Sequence, residues 1–138
     1  MTAKEYLSQY RRITERIRQI GNEIRRLEDL ADSISAENDG MPRGTKTSDR
    51  TGSLAVRIAD RKAEYSRVLI EAEAKRSEII TVINSVDDPI HSRLLYDRYI
   101  LGMRWDDIAD DIHYEASHTR TRLHSKALQD TSQYIKDV

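Results

Sequence analysis

WDDIADDIHYEASHTRTRLHSKAL, residues Trp105 to Leu128, decides the fold. Trp105, Ile108, Ala109 and Ile112 recur at steps of three and four, which puts one apolar face on a short helix. Ala109 stands where a second helix must approach closely, a place that takes little more than a methyl group. His113-Tyr114 makes a turn, and Leu123, Ala127 and Leu128 give the inner face of a last helix, expected from about Ala116 to Tyr134. A short helix with Ile-Ala at its middle, a tight turn and a longer helix is the helix-turn-helix pattern. The stretch is also electrically divided: Asp106, Asp107, Asp110 and Asp111 crowd its first half, and Arg120, Arg122 and Lys126 its second. Nucleic acid repels the one and attracts the other.

Upstream, Asp87-Asp88-Pro89 marks a boundary: Asp88 is suited to cap a helix, and Pro89 to its first position, where no amide hydrogen is needed. IHSRLLYDRYIL continues that helix and Gly102 stops it. Nearer the N-terminus, Tyr10, Ile13, Ile17, Ile20, Ile24, Leu27, Ala31 and Ile34 form a heptad repeat with apolar a and d positions. Such a narrow seam needs a partner helix. A second long helix is expected from about Ser53 to Val86, with Leu54, Ile58, Tyr65, Val68, Leu69, Ala72, Ile79, Val82, Ile83 and Val86 inward and Arg61 and Lys75 as interruptions. Between the two lies a breaker-rich loop, Ser35 to Gly52, whose Gly40, Gly44, Lys46 and Thr47 miss the spacing of a phosphate-binding loop. Two helices of equal length favour an antiparallel hairpin zipped along Ile17, Ile20, Ile24 and Leu27; the alternative is that each pairs with another chain. The fold expected is therefore all-α: a helical hairpin over 1–86, then a three-helix helix-turn-helix domain over 87–138.

Composition fits. The 138 residues include 34% charged residues, one Trp, no Phe, five Gly and two Pro, which suits a few long helices packed thinly. The absence of Cys removes disulfides and thiolate chemistry. No apolar run approaches membrane-spanning length, so the expectation is a cytoplasmic protein of a bacterial host without membrane contact. With a net charge of -1, affinity for nucleic acid must come from a local patch or from pairing two chains. His91, His113, His118 and His124 lack metal-ligand spacing, and no catalytic arrangement stands out, so neither a metal, a cofactor nor an enzyme is expected.

RLLYDRYILGMRWDDIADDIHY and SHTRTRLHSKAL resemble the C-terminal part of small phage and prophage proteins, including late-gene transcriptional activators of the ArpU and RinA type. That part is similar to region four of bacterial sigma factors. The resemblance rests on Leu95, Arg98-Tyr99-Ile100, Trp105, Ile108-Ala109, His113-Tyr114, Leu123-His124 and Ala127-Leu128, about the last third of the chain. One departure stands out: the family pattern has one residue fewer between Ile108 and Leu123, with an apolar residue three places before the Leu. Here Arg120 holds that place and Thr119 is the nearest substitute. Either the turn around Glu115-Ala116 is longer or the last helix starts rotated.

The resemblance implies a DNA-binding transcription regulator whose last helix enters the major groove. His118, Thr121, Arg122 and Ser125 are then outward, with Ser117, Arg120 and Lys126 at the edges. Arg122 and Arg120 suit guanine; Ser117, Thr121, Ser125 and Lys126 suit phosphates. Asp106 and Asp107 fall in a first helical turn, where the dipole favours negative charge. Asp110 and Asp111 are either solubilising or a docking surface for host RNA polymerase. Double-stranded DNA and a second copy of the chain are the partners implied. The alternatives are a small DNA-packaging (terminase) subunit and a module that binds a host protein and has lost DNA.

Overall fold

The computed structural model describes residues 1–37 and 45–135, and within these all regular structure is helical. Helix α1 is Ala3–Leu7, α2 Gln9–Glu37, α3 Thr45–Asn84, α4 Pro89–Tyr99 and α5 Trp105–Ile112. The last helix, α6, covers 116–132 and joins Ala116–His118, a π turn over Thr119–Leu123, and His124–Ser132. The chain divides into two compact units, Glu15–Glu71 and a second made of Met1–Thr14 with Ala72–Val138.

The first unit is the antiparallel hairpin. Ile20, Leu27 and Ile34 of α2 and Leu54 and Val68 of α3 are buried, while Ile17, Ile24, Ala31, Ile58 and Tyr65 are half-buried. Leu27, Ile34 and Leu54 cluster near the loop end with Ala31 and Ile58. Towards the other end Arg16 pairs with Glu64 at 2.9 Å, so residue number rises on α2 as it falls on α3. Arg61, an interruption of the apolar pattern, sits at the seam's edge and pairs with Glu64 at 2.6 Å and Glu23 at 3.9 Å. Pairs this exposed contribute at most about 1 kcal/mol each, so the buried aliphatic seam supplies the cohesion.

The start of the second long helix differs from the expectation. The helix begins at Thr45, ahead of Gly52 and of the expected start at Ser53, and carries Leu54 to Ile34. Of the basic loop residues, Arg43 and the side chain of Lys46 lie outside the described residues, and Arg50 is exposed on α3. Leu69, expected inward, is 41% exposed; Val68 and Ala72 hold the inner positions around it.

The second unit is a head larger than a three-helix domain. Its core joins Ala3, Tyr6 and Leu7 of α1 with Ile79, Val82, Ile83 and Val86, then Leu94, Leu95 and Tyr99 of α4, Ile108 and Ile112 of α5, and Leu123 and Ala127 of α6. The boundary therefore falls inside α3 at Ala72, and the first fourteen residues belong with the head. A capping box starts α1: Thr2 Oγ1 accepts from the Glu5 amide at 3.2 Å, and the Thr2 amide donates to Glu5 Oε2 at 2.6 Å. Tyr6 then donates its hydroxyl to Glu78 at 2.8 Å.

Start and stop signals in the last third behave as their chemistry requires. Asp88 Oδ1 accepts from the Ile90 amide at 2.9 Å, with Pro89 at the first helical position. Gly102 takes φ +68°, a left-handed conformation that a side chain opposes, and so releases the chain towards α5. The turn after α5 uses His113 at φ 63°, ψ 44°, and the Tyr114 amide closes it on the Ala109 carbonyl at 3.0 Å. Ala109 is buried, as the expected close approach demands.

Candidate nucleic-acid interface

Helix α6 is pinned from behind. Thr119, Leu123, Ala127 and Thr131 are buried beneath it, and the Thr119 and Thr131 hydroxyls are satisfied locally by the Glu115 carbonyl at 2.9 Å and the Ala127 carbonyl at 2.7 Å. His124 lies between Tyr99 and Trp105: its Nε2 is 2.7 Å from the Tyr99 hydroxyl, and its ring meets the indole at 4.7 Å. Burial, followed by the positive charges of Lys4 and Arg98, lowers the His124 pKa to about 4, and burial pushes Tyr99 up to about 12. Both rings are thus neutral at ordinary pH, and Tyr99 O–H donates to the imidazole. Farther along, His91 Nδ1 meets Asp130 Oδ2 at 2.5 Å and ties the first turn of α4 to α6.

The π turn sits in the middle of this helix. The His124 amide reaches the Thr119 carbonyl five residues back, so one extra residue is held within the turn. In this wider turn Thr119 and Leu123 both face the core, and Arg120, Thr121 and Arg122 between them face outward.

On the exposed side Arg120, Thr121, Arg122, Ser125 and Lys126 border one open depression together with Gln129. Among the described residues none of Arg120, Arg122 and Lys126 has a salt bridge. The other expected positions are less free. Ser117 donates to Glu115 Oε1 at 3.0 Å, and Thr121 donates to the Ser117 carbonyl at 2.7 Å. Phosphate oxygens only accept, so both hydroxyls must turn away from these partners before they can bind one. His118, expected outward, is half-buried and stacks on Tyr114 with ring centroids 5.9 Å apart.

A second open depression adjoins the first, with Arg120 common to both; Arg98, Arg104, Trp105 and Asp106 complete it. Arg98 lies over the Trp105 ring at 4.6 Å and donates to the Met103 carbonyl at 3.0 Å. Burial lowers its pKa, the mark of a partly desolvated cation. Arg104 stands just before the first turn of α5, with no side chain capping that turn. Arg104 and Gln129 were not singled out from the sequence. Gln129 is four residues beyond Ser125 and so on its face, a helical step that pointed to it; Arg104 carries no local pattern.

The aspartates separate. Asp106 and Asp107 occupy the first turn of α5 and Asp110 is exposed, whereas Asp111 is half-buried. Arg93 of α4 grips Asp111 with two hydrogen bonds of 2.7 Å, Nε to Oδ2 and Nη2 to Oδ1. Asp110 and Asp111 therefore do not make one free acidic pair, because the charge of Asp111 is answered inside the head. Asp97, buried on α4, faces Asp111 and has its Oδ2 without a hydrogen-bond partner among the described residues. Its pKa is pushed up to about 6, first by burial and then by the neighbouring carboxylate.

Among the described residues no group of three or more His, Asp or Glu is placed to hold a metal ion, and no helix is long and apolar enough to cross a membrane. Comparison with protein-family models, with curated proteins and with solved structures found no match to this chain.

Proposed function

We propose that the chain is a DNA-binding transcription regulator of the kind found among phage and prophage activators, reading the major groove with α6. The observation that carries this is the outer side of α6: Arg120, Arg122 and Lys126 are exposed there without a salt bridge among the described residues, and the opposite side of the helix is buried at Thr119, Leu123 and Ala127. Exposed guanidinium groups on a rigid helix match the donor geometry that guanine edges and phosphates accept. The division of labour follows from the two depressions. Arg122 lies on the α6 face and suits a base edge, while Arg120, beside Arg104 and Arg98, suits the phosphate backbone.

The π turn also supports the resemblance. One residue more than the family pattern separates Ile108 from Leu123, and a turn closed by an i to i+5 bond accommodates one residue more than an α turn. Buried Thr119 then takes the inward place that the pattern fills with an apolar residue, and Arg120 is left outside. Docking to host RNA polymerase through the acidic helix rests on Asp110 rather than on the Asp110–Asp111 pair, since Arg93 already holds Asp111.

The test is selection of bound fragments from the cognate phage genome, followed by mobility shifts on the selected site and on random duplex. Arg122→Ala should lose about 1–3 kcal/mol on the selected site and little on random DNA. Arg120→Ala should weaken both alike and flatten the salt dependence. Undiminished affinity in the double variant removes α6 as the reading helix. A ring-like oligomer binding only packaging sites points instead to a terminase subunit, and retrieval of a host protein with no DNA shifted points to an interaction module.

A further inference from the structure

Helix α3 has apolar residues on two opposite sides of the hairpin unit, and only one of them is used. Leu54, Ile58, Tyr65 and Val68 turn towards α2. Opposite, Val56 and Ile70 are 61% and 72% exposed, two full heptads apart, and Ala59 and Ala63 lie between them in the same exposed strip. A water-facing helix surface ordinarily carries charge at such places, and exposed aliphatics at heptad spacing form a seam awaiting a helix.

The charges beside the strip identify the occupant. Asp60 and Arg67 flank it on one side, one heptad apart, and among the described residues neither makes a salt bridge. If a second α3 lies antiparallel with Ala63 at the centre, Val56 of each copy meets Ile70 of the other. In antiparallel coils the same flank of each helix faces the other, so Asp60 of each copy falls beside Arg67 of its mate, twice and symmetrically. A two-fold axis demands this reciprocity, in which a residue that contacts a second must be contacted by it in return. Ala59 and Ala63 admit close approach of the two backbones at the axis. We infer that the outer face of α3, centred on Ala63, is a self-association surface for an antiparallel α3–α3 pairing of two copies of this chain.

The test uses the full chain and no DNA, so its result is independent of the function proposed above. Because the sequence has no Cys, a single introduced thiol reports one contact. Ala63→Cys should cross-link to a dimer rapidly under mild oxidant, whereas Arg57→Cys, exposed on another side of α3, should not. In light scattering the unmodified chain should have twice the monomer mass at micromolar concentration. Asp60→Arg should weaken dimerisation at least tenfold, and the exchanged pair Asp60→Arg with Arg67→Asp should restore it. A monomer at all concentrations, equal cross-linking at positions 57 and 63, or failure of the exchanged pair to rescue overturns the inference. Circular dichroism of each variant separates loss of pairing from loss of folding.

Discussion

Replacing Asp97 with Asn should stabilise the protein at neutral pH and leave it unchanged in acid. Asp97 is 5% exposed, its Oδ2 has no partner among the described residues, and it faces Asp111, which Arg93 keeps ionised. The fold raises its pKa from the ordinary 3.8 to about 6, so the protein prefers the protonated acid. The sign follows. Below pH 4 the group is neutral in both folded and unfolded chains and costs nothing; from pH 4 to 6 the unfolded chain sheds its proton first and stability falls; above 6 the full cost is present. A shift of that size is worth about 3 kcal/mol at most, and water in the open depression beside α4 lowers it towards about 1–2 kcal/mol. Asn has nearly the same shape, carries no charge, and offers an amide N–H to the Asp111 carboxylate. Urea unfolding at pH 7.5 and pH 4.0 measures both ends. The variant should gain about 1–2 kcal/mol at pH 7.5 and lie within about 0.5 kcal/mol of the parent at pH 4.0. No gain at neutral pH, or a gain of the same size in acid, would refute the assignment of a destabilising carboxylate at Asp97.

Two further effects are readable by thermal unfolding. His113 is the only residue other than glycine with positive φ among the described residues, so His113→Gly should remove about 1 kcal/mol of backbone strain and raise Tm. Asp88→Ala strips the cap from α4 and should cost about 1 kcal/mol, which Asp88→Asn largely avoids.

Local chemistry was legible wherever it was self-contained. The heptad of α2, the Asp88-Pro89 start, the extent Trp105–Ile112 and the burial of Ala109 follow from helical periodicity and from which residues cap, stop or fit closely. Less visible was whatever depends on a distant partner. Residues 45–52 are rich in Thr and Ser and include Gly52, which read as loop, yet helix runs through them. Ala3, Tyr6 and Leu7 had helical spacing, but nothing local says that they insert against Ile79 and Leu94. At the candidate site the exposure of the outward Thr121, Arg122 and Ser125 and of the edge residues Arg120 and Lys126 was readable from the inward Leu123 and Ala127, whereas His118, expected outward, is half-buried. The local bonds of the Ser117 and Thr121 hydroxyls were not readable, because a side chain that faces water still bonds to its own backbone or to a neighbour.

The widened turn in α6 has a mechanical consequence. Residues on either side of it keep separate angular settings: Ala116 to His118 follow the exit from α5, and His124 onward follows the bed formed with α4. Removing a single residue between Thr119 and Leu123 would close the loose winding into ordinary α-helix with Thr119 still inward, three places before the leucine, so that neither the leading segment nor the seated part has to turn far. The loose winding is thus a place where the helix can gain or lose one residue while the stretches on either side keep their beds.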